Sequence, residues 1–135
     1  MKIHRLDHIH VYCSDPDASL RFYVEVFDAE GVQTAHGPDG SVRHLLRVGG
    51  FTLVLAPYPE GTAPAFPAEY QDGIYKHGYG IGHFGLQVES VDEAIDTLRQ
   101  RGATILNEPR ESAGARFAYV GGPDGVIIEL LEEKS

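Results

Sequence analysis

Val126-Ile127-Ile128-Glu129-Leu130-Leu131 reads as a short apolar strand with a carboxylate in its middle. Period two puts Ile127, Glu129 and Leu131 on one face and Val126, Ile128 and Leu130 on the other. A glutamate between apolar neighbours on both faces carries a desolvation cost unless a partner offsets it. A metal ion is one such partner. Upstream, at an offset of 75 residues, Phe51–Ala56 repeats the strand with Val54 in place of the glutamate.

The same offset relates the rest of the chain. His8 lies over His83, Asp15 over Ser90 and Asp17 over Asp92. Residues 3–13 alternate as a strand, with Leu6, His8, His10 and Tyr12 on one face. Asp15-Pro16 then opens a helix, aspartate as N-cap and proline at the first helical position, where its missing N–H costs nothing. Leu20, Tyr23, Val24 and Phe27 form its apolar stripe, which runs through Asp28. Strands are expected near 31–36, 41–48 and 51–57, separated by Pro38-Asp39-Gly40 and Gly49-Gly50.

From 58 to 80 the periodicity stops, and a proline- and glycine-rich loop is expected there, either a connector or a lid. The pattern resumes at Ile81–Val88, with His83, Gly85 and Gln87 on one face. Ser90-Val91-Asp92-Glu93 is a capping box that opens a second helix with Val91, Ile95 and Leu98 in its stripe, and Gly102 stops it. Strands near 104–107, 115–121 and 126–132 complete the second unit. The expectation is an α+β fold: a single domain over 1–135, built from βαβββ repeat units at 3–57 and 81–132 joined by loop 58–80, whose sheets can pair around a shared cleft.

Composition sets the outer limits. The chain has 135 residues, 42% hydrophobic and 23% charged, with no run long enough to span a bilayer. A formal charge of −9 with no basic run argues against nucleic acid as a partner and leaves small molecules or proteins. The start MKIHRLDHIH lacks the apolar core of a secretory signal, so a cytoplasmic location is expected. Cys13 is the single cysteine, which excludes an intramolecular disulfide.

His8 to Val54 and His83 to Glu129 are both separations of 46 residues. A symmetric site would draw two ligands from each unit; here the first unit offers a histidine and an apolar residue. The candidate metal ligands are therefore His8, His83 and Glu129. Two imidazoles and one carboxylate suit one Fe(II), Mn, Zn, Ni or Co ion per site. Three protein ligands leave positions for water and substrate. His10 shares the face of His8 and is a candidate acid–base or supporting group. Tyr75, His77 and Tyr79 precede the second metal strand and are candidates to close over a substrate.

At these residues the sequence resembles the vicinal oxygen chelate superfamily, the glyoxalase/bleomycin-resistance/dioxygenase group. Three pieces carry the resemblance: Asp7-His8 with the Asp15–Tyr23 helix start, Gly82-His83 with Asp92-Glu93-Ala94, and Pro123-Asp124-Gly125 running to Glu129-Leu130. The resemblance implies paired βαβββ modules in a glyoxalase-like open barrel, a metal-binding cleft, and a homodimer. It carries the metal ligands over to His8, His83 and Glu129. In glyoxalase I a fourth ligand normally sits where this chain has Val54, and a metal-bound carboxylate shuttles the proton; Glu129 would serve as both ligand and base.

Ring-cleaving extradiol dioxygenases hold Fe(II) with the same two-histidine, one-glutamate set. Tyr119 lies ten residues before Glu129, as their tyrosine does, which makes it a further catalytic candidate; their upstream histidine has no counterpart in 111–118. Fosfomycin-thiol transferases share the triad, but their threonine two places after the first histidine is His10 here. The expected function is a divalent-metal-dependent enzyme acting on a small oxygen-bearing substrate, dioxygenase-like by lean. The alternatives are a glyoxalase I-like lyase or isomerase, and a metal-free drug- or metabolite-binding protein of the bleomycin-resistance type.

Overall fold

In the computed structural model the chain runs β1 (His8–Cys13), α1 (Pro16–Phe27), β2 (Glu30–His36), β3 (Val42–Val48), β4 (Phe51–Pro57), β5 (Glu69–Gln71), β6 (Ile74–Lys76), β7 (Phe84–Gln87), α2 (Val91–Gln100), β8 (Thr104–Ser112), β9 (Ala115–Gly121) and β10 (Ile127–Glu133). The structure describes residues 1–59, 69–71, 74–76 and 80–133, the two short middle segments as backbone. The chain forms two compact units, Met1–Ala63 and Pro64–Ser135.

In the first unit the strand order is β1-β4-β3-β2, with β1 parallel to β4 and the other pairs antiparallel. A parallel neighbour needs a long crossover, and α1 together with β2 and β3 supplies it. The helix starts where the sequence indicates. Asp15 accepts a hydrogen bond from the Ala18 backbone N–H at 3.1 Å, and Pro16 occupies the first turn. It stops at Asp28, whose left-handed φ of 55° turns the chain while its N–H caps the Tyr23 carbonyl. Tyr23 and Val26 bury against a sheet face whose Leu46, Leu53 and Leu55 are fully inaccessible. Asp17 in the first helical turn accepts a hydrogen bond from His44 Nε2 on β3 at 2.7 Å, tying helix to sheet.

The second unit repeats this plan as β7-β10-β9-β8, with β7 parallel to β10. Ser90 accepts from the Glu93 N–H at 3.2 Å, 75 residues after the equivalent contact in α1. Asp92, the counterpart of Asp17, is held by both Arg116 Nε (2.6 Å) and Nη2 (2.8 Å) from β9. This bidentate pairing keeps the Asp92 carboxyl below its usual range. Val91, Ile95 and Leu98 bury one stripe of α2 against Ala118, Val120, Ile128 and Leu130. Replacing Ser90 by alanine is expected to cost about 1 kcal/mol. The loss stays at that level because Glu132 also caps the helix, through the Val91 N–H at 2.9 Å. A denaturant titration of the variant checks it.

Three boundaries differ from the sequence reading. Strand β1 begins at His8 and β7 at Phe84, so both histidines sit at or just before a strand start. Strand β8 runs on to Ser112, well past the expected 107, because two register shifts against β9 absorb Pro109 on what is an edge strand. Inside 58–80, expected to lack regular structure, β5 and β6 form a short antiparallel pair. Among the described residues no helix is long and apolar enough to cross a membrane.

Candidate metal centre

Strand register fixes which side chains share a face. In β10, Glu129 stands opposite Gly85 of β7 and Tyr119 of β9, and Tyr119 stands opposite Asn107 of β8. These four therefore form one row across the sheet face away from α2. The neighbours of Glu129 in the strand, Ile128 and Leu130, go to the other face and are buried. The alternation read from the sequence is thus the observed one.

His83 completes the row from outside the strand. Its Nε2 lies 2.9 Å from Glu129 Oε2, with the histidine N–H donating to the carboxylate. The contact is sheltered but reachable, the two side chains being 34% and 21% exposed. The His83 ring also meets the Tyr119 ring edge-on, centroids 5.5 Å apart. Gly85 leaves the flank of the carboxylate open: a Cβ there would stand 3.6 Å from Glu129 Oε2. The equivalent position in the first unit, opposite Val54, is His10.

The pair fits a transition-metal ion. Two donors each about 2.1 Å from one ion lie about 3 Å apart when they meet it at a right angle. That is close to the 2.9 Å separation of His83 Nε2 and Glu129 Oε2, so the two atoms are near enough to share one ion once Nε2 gives up its proton. His8 belongs to the other unit. Its Nδ1–H donates to Asp7 Oδ2 at 2.8 Å, which fixes the ring and leaves Nε2 as the free donor atom, the orientation that metal-binding histidines commonly have. The same contact holds the Asp7 carboxyl below its usual range. Among the described residues no three His, Cys, Asp or Glu side chains gather in one cluster. Val54 is buried and has no donor atom, so the first unit contributes no carboxylate at that position.

The remaining candidates separate. His10 packs edge-on against Tyr12 at 4.9 Å, and Tyr12 stacks on Tyr58 at 5.0 Å. Burial holds the His10 imidazole below the usual histidine value, and the charges of Arg43 and His8 act in the same direction. Tyr119 is beside the His83–Glu129 pair, as its register with Glu129 requires. His77 and Tyr79 lie outside the described residues, as does the side chain of Tyr75. Sequence reading did not single out Gly85 or Asn107, and the period-two pattern of β7 was the only signal for the first. For Asn107 the bulge between Ile105 and Asn107 removes that signal.

A family model described as the Glyoxalase/Bleomycin resistance protein/Dioxygenase superfamily matches residues 5–130. The chain belongs to that superfamily. Among curated relatives, a lactoylglutathione lyase of Escherichia coli O157:H7 is 30% identical, covering 96% of this chain and 93% of its own length. Among solved structures, SMU.1112c superposes with a TM-score of 0.79 at 25% identity, over 97% of this chain and 100% of that one. TnmS3, an antibiotic binding protein from Streptomyces sp. CB03234, has the same fold (TM-score 0.75, 22% identity, 99% of each chain). The superfamily's α+β architecture is what the two βαβββ units display, and the resemblance read from Asp7-His8, Gly82-His83 and Pro123–Leu130 is correct.

Proposed function

We propose that this chain is a divalent-metal-dependent lyase of the glyoxalase type that acts on a small oxygen-bearing substrate through Glu129, His83 and His8. The observation that carries the reading is the 2.9 Å approach of His83 Nε2 to Glu129 Oε2 on a strand whose other face buries Ile128 and Leu130. A carboxylate in the middle of such a strand adds nothing to the core, so its place there is explained by chemistry. The similarity to lactoylglutathione lyases along nearly the whole chain supports lyase chemistry over the dioxygenase lean of the sequence reading.

When bound, a divalent ion supplies Lewis-acid stabilisation of negative charge on a substrate oxygen. Glu129 is the group placed to take a proton from a carbon next to that oxygen and return it. His83 Nε2 would give up its proton to share that ion with Glu129, and Gly85 leaves room for substrate beside the carboxylate. Val54 withholds a fourth protein ligand, so Glu129 has to serve as both ligand and base. A second reading, ring cleavage by O₂, is favoured by one contact: the Tyr119 ring against His83, on the residue opposite Glu129.

Metal analysis of protein purified without chelator is expected to find about one transition ion per chain, reduced at least tenfold in His83→Ala. Turnover of S-lactoylglutathione with Ni(II) or Zn(II) then supports the lyase, and O₂ uptake with a catechol and Fe(II) supports the second reading. No retained metal after exposure to Fe(II), Mn(II), Zn(II), Ni(II) and Co(II) in turn would sink both. Equimolar ligand binding without turnover would then point to the metal-free binding protein.

A further inference from the structure

The imidazole that ties Asp17 to the sheet has a second partner. His44 Nε2 lies 2.7 Å from Asp17 Oδ1, and His44 Nδ1 lies 3.3 Å from Thr34 Oγ1 on the neighbouring strand. An ionised carboxylate can only accept, so Nε2 carries the ring proton and Nδ1 presents its lone pair. The Thr34 O–H therefore donates to Nδ1. Hydroxyl, imidazole and carboxylate follow one another in hydrogen-bond reach, the base being held by the third group. The His44 side chain is 12% exposed, while Asp17 and Thr34 are open to solvent.

The second unit displays a plain tether at the same place. Asp92, the counterpart of Asp17, is held there by two N–H groups of Arg116, a side chain that neither takes nor gives a proton near neutral pH. The first unit uses a ring that can do both and sets a hydroxyl against its free nitrogen. Thr34 and His44 stand opposite one another in register, so both side chains are on the face that carries α1. Strand β2 is outermost in its sheet, and an outermost strand leaves every second backbone N–H without a ladder partner. Such N–H groups are the donors available to a developing oxyanion. Val42, two residues before His44 and on the same face, is 45% exposed and offers an apolar contact beside the hydroxyl.

We propose that Thr34, His44 and Asp17 form a separate, metal-independent site that takes short acyl groups from neutral esters. Thr34 Oγ1 attacks the acyl carbonyl carbon, and His44 Nδ1 takes the hydroxyl proton. The bond from that carbon to the alcohol oxygen of the ester then breaks, and the alcohol leaves with the proton from Nδ1. Water adds to the Thr34 ester, again losing a proton to Nδ1; the free acid departs as Thr34 recovers that proton. Thr34 is the nucleophile, His44 the base, and Asp17 a positioning residue that fixes the tautomer. The open Asp17 carboxylate and the formal charge of −9 disfavour anionic substrates, and Val42 favours a short apolar acyl chain. None of these residues belongs to the His83–Glu129 pair, so the site is tested independently of the lyase reading.

The probe is p-nitrophenyl acetate, added to the full chain in the presence of a chelator. The expected result is a burst of p-nitrophenolate of about one equivalent per chain, with the acetyl group found on Thr34 by peptide mass spectrometry. Thr34→Val keeps the shape of threonine without its hydroxyl and is expected to abolish the burst; Thr34→Ser is expected to keep it. His44→Gln, whose amide can still reach Asp17, is expected to slow acylation by about 10²-fold, with folding checked by denaturant titration. Nitrogen NMR of the His44 ring is expected to show Nε2 protonated and Nδ1 bare, a mixture of tautomers in Asp17→Ala, and recovery in Asp17→Glu. Acetyl groups on lysines or the N-terminus alone, with Thr34 unmodified in the folded protein, overturn the proposal. Acylation of Thr34 at an unchanged rate in His44→Gln overturns it too, as does a wild-type His44 that carries its proton on Nδ1.

Discussion

Glu129→Gln is expected to lower turnover at saturating metal by about 10²- to 10⁴-fold while leaving the unfolding midpoint of the metal-free protein nearly unchanged. Glutamine has the same length and volume, and its carbonyl oxygen can still accept the His83 N–H that now lies 2.9 Å from the carboxylate. Packing and hydrogen bonding therefore survive. The negative charge that attracts a cation and the basic oxygen that accepts a proton are lost. Initial-rate measurements at saturating metal, paired with a denaturant titration, separate these effects. A rate within tenfold of wild type would remove Glu129 from the reacting centre.

Glu129→Val makes the same point more sharply, since it gives β10 the residue that β4 already has. Val54 occupies that register position, buried, in a unit that folds by the same plan. The substituted strand is expected to be at least as stable as the natural one, because a partly sheltered charge is replaced by an apolar side chain. Metal retention is expected to be lost. On the proposed role of Glu129, stability and chemistry pull in opposite directions at this position.

That asymmetry was legible in the sequence because the repeat is exact in register where it matters. His10 faces Val54 and Gly85 faces Glu129, at one offset of 75 residues, and the caps Asp15 and Ser90 keep it. Strong periodicity and helix caps are local signals, so the helices and most strands could be read directly. What escaped was set by tertiary pairing. Pro109 breaks the alternation of β8, and only the pairing with β9 carries that strand on to Ser112. Arg110 follows that proline and two register shifts, so its face could not be counted from the pattern. The pairing of β5 with β6 is short, and proline and glycine dominate its surroundings. Within the site, the His83–Glu129 pair was readable from spacing.

Ile128, the immediate neighbour of Glu129, is expected to behave in the opposite way. It points to the other face, is fully inaccessible, and stands in register with Phe84 on one side and Val120 on the other. Above it α2 packs Val91, Ile95 and Leu98 into the same core. Ile128→Ala removes three carbons from a site where β10, paired on both sides, cannot move inward to fill the space. The expected cost is about 2–5 kcal/mol, a large part of the stability of a domain this size. Conservative replacement by valine is expected to cost only about 0.5–1.5 kcal/mol. Denaturant titrations of the two variants measure both costs. The folded fraction of Ile128→Val, which keeps the strand and its register, is expected to retain wild-type metal content. A small loss for Ile128→Ala, with metal binding abolished in Ile128→Val, would mean that β10 places its side chains the other way round and that Glu129 is the buried one.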